Sequence, residues 1–271
     1  MKFQSDFPDI LHFSHANGFP AGSYQTLLDQ LAEHYDVRTI DRLGHQPQYP
    51  VTDNWAELEQ ELTHYFEQNY SRPVIAVGHS LGGLLSYMVA RHRPDLIKGL
   101  IMLDAPVLTP MQAFGFRMLK RWNLADRVTP AGRTDGRRQH WSDQQEAMEY
   151  FSGKSLMKRF HPESLRNYVN AGTEYVNADD PEKGVRLRFD PDTEMKIYRT
   201  IPHNVRSDKP LAMPSAVIAG RNSDVFWPSN GARMKSKVGM KLCWLPGGHM
   251  FPLEHPHATA DLILQLLEEM L

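Results

Sequence analysis

The sequence predicts an α/β protein: a parallel sheet covered by helices on both faces and interrupted once by a helical insertion. Two observations carry this. Short apolar runs alternate with amphipathic segments from residue 10 to 103, and the same alternation resumes from 215 to the C-terminus. Between about 106 and 210 it stops, and no run there resembles a buried parallel strand. Residues 1–105 and 211–271 therefore read as one core, and 106–210 as a helical cap inserted in it.

The elements follow in order. Residues 10–14 (ILHFS) form a short apolar strand. Tyr24, Leu27, Leu28, Leu31 and Tyr35 then recur at helical spacing, so 23–35 is a helix. Residues 37–41 make the next strand. Asp53 is placed to cap a helix whose apolar stripe is Trp55, Leu58, Leu62 and Phe66. Strand 73–77, helix 81–92 and strand 97–103 complete the first half. Within the insertion, Met111, Phe114, Met118, Trp122, Trp141, Met148, Tyr150 and Phe151 sit among many charges, as short helices with a small core of their own would. Strand 215–219, a short helix near 228–236 and strand 240–245 follow. A final helix after Pro256 stacks Ala258, Leu262, Leu266 and Met270 at i, i+4 spacing. The polar stretches 132–136 and 177–180 are expected to be exposed.

Composition narrows the function classes. A formal net charge of −2 over 271 residues gives no reason to expect nucleic acid. Cys243 is the only cysteine, which excludes an intramolecular disulfide and a thiolate metal cluster. In its apolar run it reads as a small core filler rather than a nucleophile. No run approaches the roughly 20 apolar residues of a membrane helix. The first residues lack the basic and apolar segments of a signal peptide. A cytoplasmic location is the expectation.

The chemistry lies in VGHSLGG, residues 77–83. The strand runs to Val77 and the helix begins about Leu81, which leaves almost no loop. So sharp a turn strains its central residue, and Gly78 and Gly82 lack the Cβ atoms that would clash. Ser80 then projects from the C-terminal edge of the sheet. Leu81 N–H, at the start of the helix, points toward negative charge developing beside it. This is the Gly-x-Ser-x-Gly pattern in the strand–turn–helix context it requires.

A serine hydroxyl needs a general base. His249 follows the last strand, on a loop at the same sheet edge, after Gly247 and Gly248. His255 and His257 read as surface residues at the start of the last helix, and the three histidines match no zinc-ligand spacing. A carboxylate must fix the base's tautomer. Asp224, after the strand preceding the histidine strand, is the first choice. Asp104, at the end of the strand after the elbow, is the second, with turn capping as its other role. The second oxyanion donor comes from the loop after the first strand, at Asn17, with Phe19 as the alternative register. Phe19, His79 and Phe251, beside these loops, are the candidates to contact substrate. No metal or cofactor is called for.

Together these residues resemble the α/β-hydrolase superfamily, in its cap-bearing serine esterase branch, over the whole chain outside the insertion. Residues 41–45 (DRLGH) resemble the family's Asp-x-x-Gly-His loop, and 247–249 its histidine loop. There are two departures: His15-Ala16-Asn17 stands where relatives often read His-Gly-x, and only nine residues precede the first strand. The second implies that the family's first two strands are missing, leaving a mostly or wholly parallel sheet of about six strands. The resemblance implies cleavage of esters or thioesters of short to medium acyl groups through an acyl-enzyme. Residues 111–170 hold 11 Lys and Arg against 6 Asp and Glu. An acidic carrier protein bearing the acyl group would meet complementary charge there, as with the similar carrier-linked methyl-ester esterases; a solvated basic face is the plainer account. A binding protein or sensor that keeps the fold without turnover is the alternative from another class.

Overall fold

Alternating side chains along buried strands feed two cores at once, and the molecule is built around that division. The computed structural model describes residues 8–134 and 136–271. The N-terminal seven residues, on which the signal-peptide reading rests, and Asp135 of the stretch 132–136 lie outside them.

Strand β1 (Ile10–Ser14) is followed by helix α1 (Gln25–Ala32), β2 (Asp36–Thr39), α2 (Ala56–Asn69), β3 (Val74–His79), α3 (Leu81–His92) and β4 (Ile97–Leu103). The segment between β4 and β8 carries helix α4 (Pro110–Arg121), further short helices, and strands β5 (His140–Trp141), β6 (Thr173–Tyr175) and β7 (Val185–Leu187). Strands β8 (Ser215–Gly220) and β9 (Lys241–Leu245) return the chain to the main sheet, and the helix Pro256–Met270 closes it. The main sheet has six strands in the order β2-β1-β3-β4-β8-β9, every pair parallel. Ile75, Val77, Ile101 and Leu103 face one core, with α1 and the last helix. Val74, Ala76, Leu100 and Met102 face the other, with α2 and α3. Buried on both faces, β3 and β4 have to be apolar throughout, as their sequences are.

The structure departs from expectation in three places. The inserted segment is not all helical: β5, β7 and β6 form a three-stranded antiparallel sheet. Two- and three-residue strands are too short to show an alternation in sequence. Asp53 does not cap α2, which begins only at Ala56 after Asn54 and Trp55 at φ 60° and 58°; Asp53 pairs instead with Lys120 of α4. The last helix buries Leu266 of the expected stripe and packs Leu262 and Met270 against the core, but it leaves Ala258 exposed and buries Ala260, Ile263 and Leu267 beside them. Cys243 is half-buried on the edge strand β9 and packs against the core, and burial raises its thiol pKa. Among the described residues no helix is long and apolar enough to cross a membrane.

Candidate active site

Ser80 stands between β3 and α3 at φ 51° and ψ −111°, a conformation a side-chain-bearing residue rarely holds. The packing around it leaves no alternative. A Cβ on Gly78 would lie 2.5 Å from the Gly82 carbonyl, and one on Gly82 would lie 2.2 Å from the Ser14 carbonyl oxygen. Helix α3 therefore starts directly against the end of β1. Gly82 N–H donates to His15 O (3.1 Å), and Ser80 N–H to Leu103 O (2.9 Å). The elbow is thus pinned to the strands on either side.

His249 Nε2 lies 3.1 Å from Ser80 Oγ. Its Nδ1 lies 2.7 Å from a carboxylate oxygen, and that oxygen belongs to Asp104, not Asp224. Asp104 is fully buried at φ 44°, just past β4, where its own N–H still donates to Ile218 O of β8 (2.8 Å). Oδ1 accepts from Gly220 N–H (2.7 Å), and Oδ2 accepts from Ser223 Oγ–H (2.5 Å) as well as from His249. Three donors thus converge on the two carboxylate oxygens of this buried side chain. Asp224 sits exposed on a turn whose carbonyl accepts from Trp227 Nε1 (3.3 Å). Its loop reaches the site one residue earlier, through Ser223, which supports Asp104 while accepting from Val225 and Phe226 N–H.

The loop after β1 has little freedom. His15 Nδ1–H donates to Ala16 O (2.8 Å), while its Nε2 accepts from Leu43 N–H (2.8 Å) in the loop 41–45. Burial holds this ring neutral, lowering its pKa to about 4. Phe19 N–H is used inside the loop, donating to Ala16 O (3.1 Å). The Asn17 side chain is anchored on the Glu194 carbonyl (3.0 Å). Gly18, at φ 79°, lies where a Cβ would fall 2.9 Å from the Glu194 carboxyl carbon. That carboxyl is paired with Arg137 (2.5 Å). The inserted segment thus rests directly on the loop.

Two of the three residues expected to contact substrate do not fit that role. His79 is fully buried, with Nε2 toward the His249 carbonyl oxygen (2.9 Å). Phe251 is fully buried in the first core. Phe19 is half-buried against Tyr168 and Phe160 of the inserted segment, with ring centroids at 5.1 and 6.1 Å. A residue not singled out in the sequence, Glu254, accepts from Gly248 N–H (3.0 Å) and lies 3.4 Å from Arg159 Nε. Its position a turn into the segment after His249 gave no periodic signal.

A parallel sheet with a serine at a strained strand–helix turn and a histidine on a later loop defines the class of alpha/beta hydrolases. The chain belongs to that family: the family model described as "Alpha/beta hydrolase family" matches residues 13–262. An uncharacterized protein of Synechocystis sp. is 25% identical over 207 residues, 74% of this chain and 68% of its own length. Among solved structures, E-2-(acetamidomethylene)succinate hydrolase superposes with a TM-score of 0.74 at 19% identity, over 97% of this chain and 92% of that one. The thioesterase domain from the curacin biosynthetic pathway gives 0.69 at 20% identity, over 96% and 91%. At these identities the likeness is one of fold.

Proposed function

We propose that the protein is a serine hydrolase that cleaves carboxylic esters or thioesters through an acyl-enzyme on Ser80. One observation carries the reading: Ser80 Oγ, both nitrogens of His249 and Asp104 Oδ2 lie in one hydrogen-bonded line, at 3.1 and 2.7 Å. In acylation Oγ attacks the carbonyl carbon and its proton passes to His249 Nε2. Asp104, accepting from Nδ1–H, holds the tautomer that leaves Nε2 free and stabilises the imidazolium. The oxyanion takes hydrogen bonds from Leu81 N–H, at the positive end of α3, and from Asn17 N–H. Collapse expels the alcohol or thiol, protonated by His249. Water, deprotonated by the same nitrogen, then releases the acid and restores Ser80. The half-buried ring of Phe19 beside the oxyanion loop favours an apolar acyl group.

The test is labelling with a fluorophosphonate and turnover of a panel of p-nitrophenyl esters and acyl thioesters. Ser80→Ala is expected to abolish labelling and to cost on the order of 10⁶ in kcat, the loss seen when a triad serine is removed. A folded Ser80→Ala variant keeping more than about a tenth of the activity rules the reading out. Thioesters on an acidic carrier protein belong in the panel because residues 111–170 carry excess positive charge.

A further inference from the structure

Asn17 and His249 stand on loops that follow β1 and β9, and three strands separate those two in the sheet. Two buried rings beside Ser80 bridge the gap. Ala16 N–H donates to Tyr24 Oη (3.3 Å), Tyr24 Oη lies 2.7 Å from His79 Nδ1, and His79 Nε2 lies 2.9 Å from the His249 carbonyl oxygen.

Chemistry fixes the direction of every bond. A carbonyl oxygen only accepts, so Nε2 of His79 carries the proton. In a neutral imidazole Nδ1 is then a lone pair, and Tyr24 must donate to it. The Tyr24 oxygen keeps a lone pair for Ala16 N–H. Both rings are almost completely shielded from water. Burial, and after it the proximity of His249, keeps His79 well below the usual histidine pKa. Burial likewise raises the Tyr24 phenol above its ordinary value. Neither ring changes its charge near neutral pH, so the directions persist while His249 gains and loses its proton.

We propose that Tyr24 and His79 are positioning residues, forming a strut that sets the spacing between the oxyanion loop and the main chain of His249. The proposal rests on the reading of Ser80 and His249 as nucleophile and base. The strut adds a directed polar tie to the apolar packing of the helix after His249 (251–254) against the turn after the oxyanion loop (21–24). Displacements near 1 Å at such a site cost on the order of 100-fold in rate.

The first arm of the test uses the unaltered protein. Nitrogen-15 NMR of the imidazoles should find His79 neutral with its proton on Nε2 throughout about pH 5.5–8. A proton on Nδ1, or a charged ring in that range, overturns the proposal without any variant having to fold. The second arm is steady-state hydrolysis of p-nitrophenyl acetate. Tyr24→Phe and His79→Leu should each lower kcat about tenfold or more, with KM within about twofold. His79→Gln retains an amide N–H for the His249 carbonyl and should recover kcat to within about threefold of the unaltered enzyme. If Tyr24→Phe and His79→Leu keep kcat within about twofold, or His79→Gln recovers nothing, the rings only fill space and the strut is disproved. Failure of the unaltered protein to take fluorophosphonate at Ser80 removes the catalytic reading and the proposal with it. Normal labelling with unaffected variants removes the strut alone.

Discussion

Asp104 and Asp224 differ in a way that one pair of substitutions separates. Asp104→Asn keeps the shape but turns a donor toward donors: an amide nitrogen would face Gly220 N–H, or Ser223 Oγ–H and His249 Nδ1–H. It also favours the wrong imidazole tautomer, which costs about 10⁴ in kcat in the serine protease case. Asp104→Asn is therefore expected to lose several orders of magnitude in kcat, while the exposed Asp224→Asn keeps most of its activity at an unchanged Tm. Equal activity in the two variants refutes Asp104 as the orienting carboxylate. Ser80 and His249 were legible in sequence because each has a local signature, two glycines in one case and a post-strand Gly-Gly in the other. The acid has none. Both aspartates follow strands at the same sheet edge, and the choice is made by a loop that turns outward after Ser223. His79 was misread because a residue next to a nucleophile looks available, whereas a strand end buried on both faces hides it.

At the level of elements, the contact between β1 and α3 sets the tolerance of the elbow. Gly82→Ala would put a Cβ 2.2 Å from Ser14 O, so the helix must move off the strand that leads to the oxyanion loop. The expected result is loss of most activity together with a lower Tm. Gly115 in α4 is the contrast: a Cβ there has nothing within 4 Å. Gly115→Ala should raise stability by about 0.5–1 kcal/mol, the helix-interior difference between the two residues, with kcat unchanged. Urea titration and ester turnover on both variants check the pair, and an active, stable Gly82→Ala contradicts the packing argument. The parallel sheet was readable in advance because strands buried on both faces are continuous apolar runs. The sheet of β5, β6 and β7 was not, since pairings so short are fixed by tertiary contacts such as Trp141 against Phe151 (centroids 5.2 Å).

For the whole molecule, buried ionisable groups set a pH dependence. Burial lowers His12 to about 3 and His15 to about 4, and His79 lies well below its usual value. Their neutral forms support the fold above the unfolded pKa near 6.5, and that support is lost as pH falls through it toward the folded values. Burial raises Glu61, whose Oε2 accepts from Gly44 N–H (2.9 Å), to about 7. It acts in the opposite sense: the folded state takes up its proton first, and stability rises as pH falls below about 7. Three histidines outweigh one carboxyl. As pH falls from 6.5 to 4.5 the unfolded chain therefore binds more protons at these groups than the folded one, and stability is lost. Urea midpoints measured across that range should fall steeply, and a flat profile contradicts the sign.

The crossover between β4 and β8 limits how this chain could be diversified. Parallel neighbours cannot be joined by a tight turn, so the chain that leaves at Asp104 has to travel back to the opposite end of the sheet before re-entering at Ser215. Ala105 and Val107, the first residues outward, are already buried in the second core. An exchange of inserted segments between relatives therefore has no clean seam at the edge of the sheet. A workable graft would keep 104–107 and about a dozen residues of return path, and would change only what lies between them.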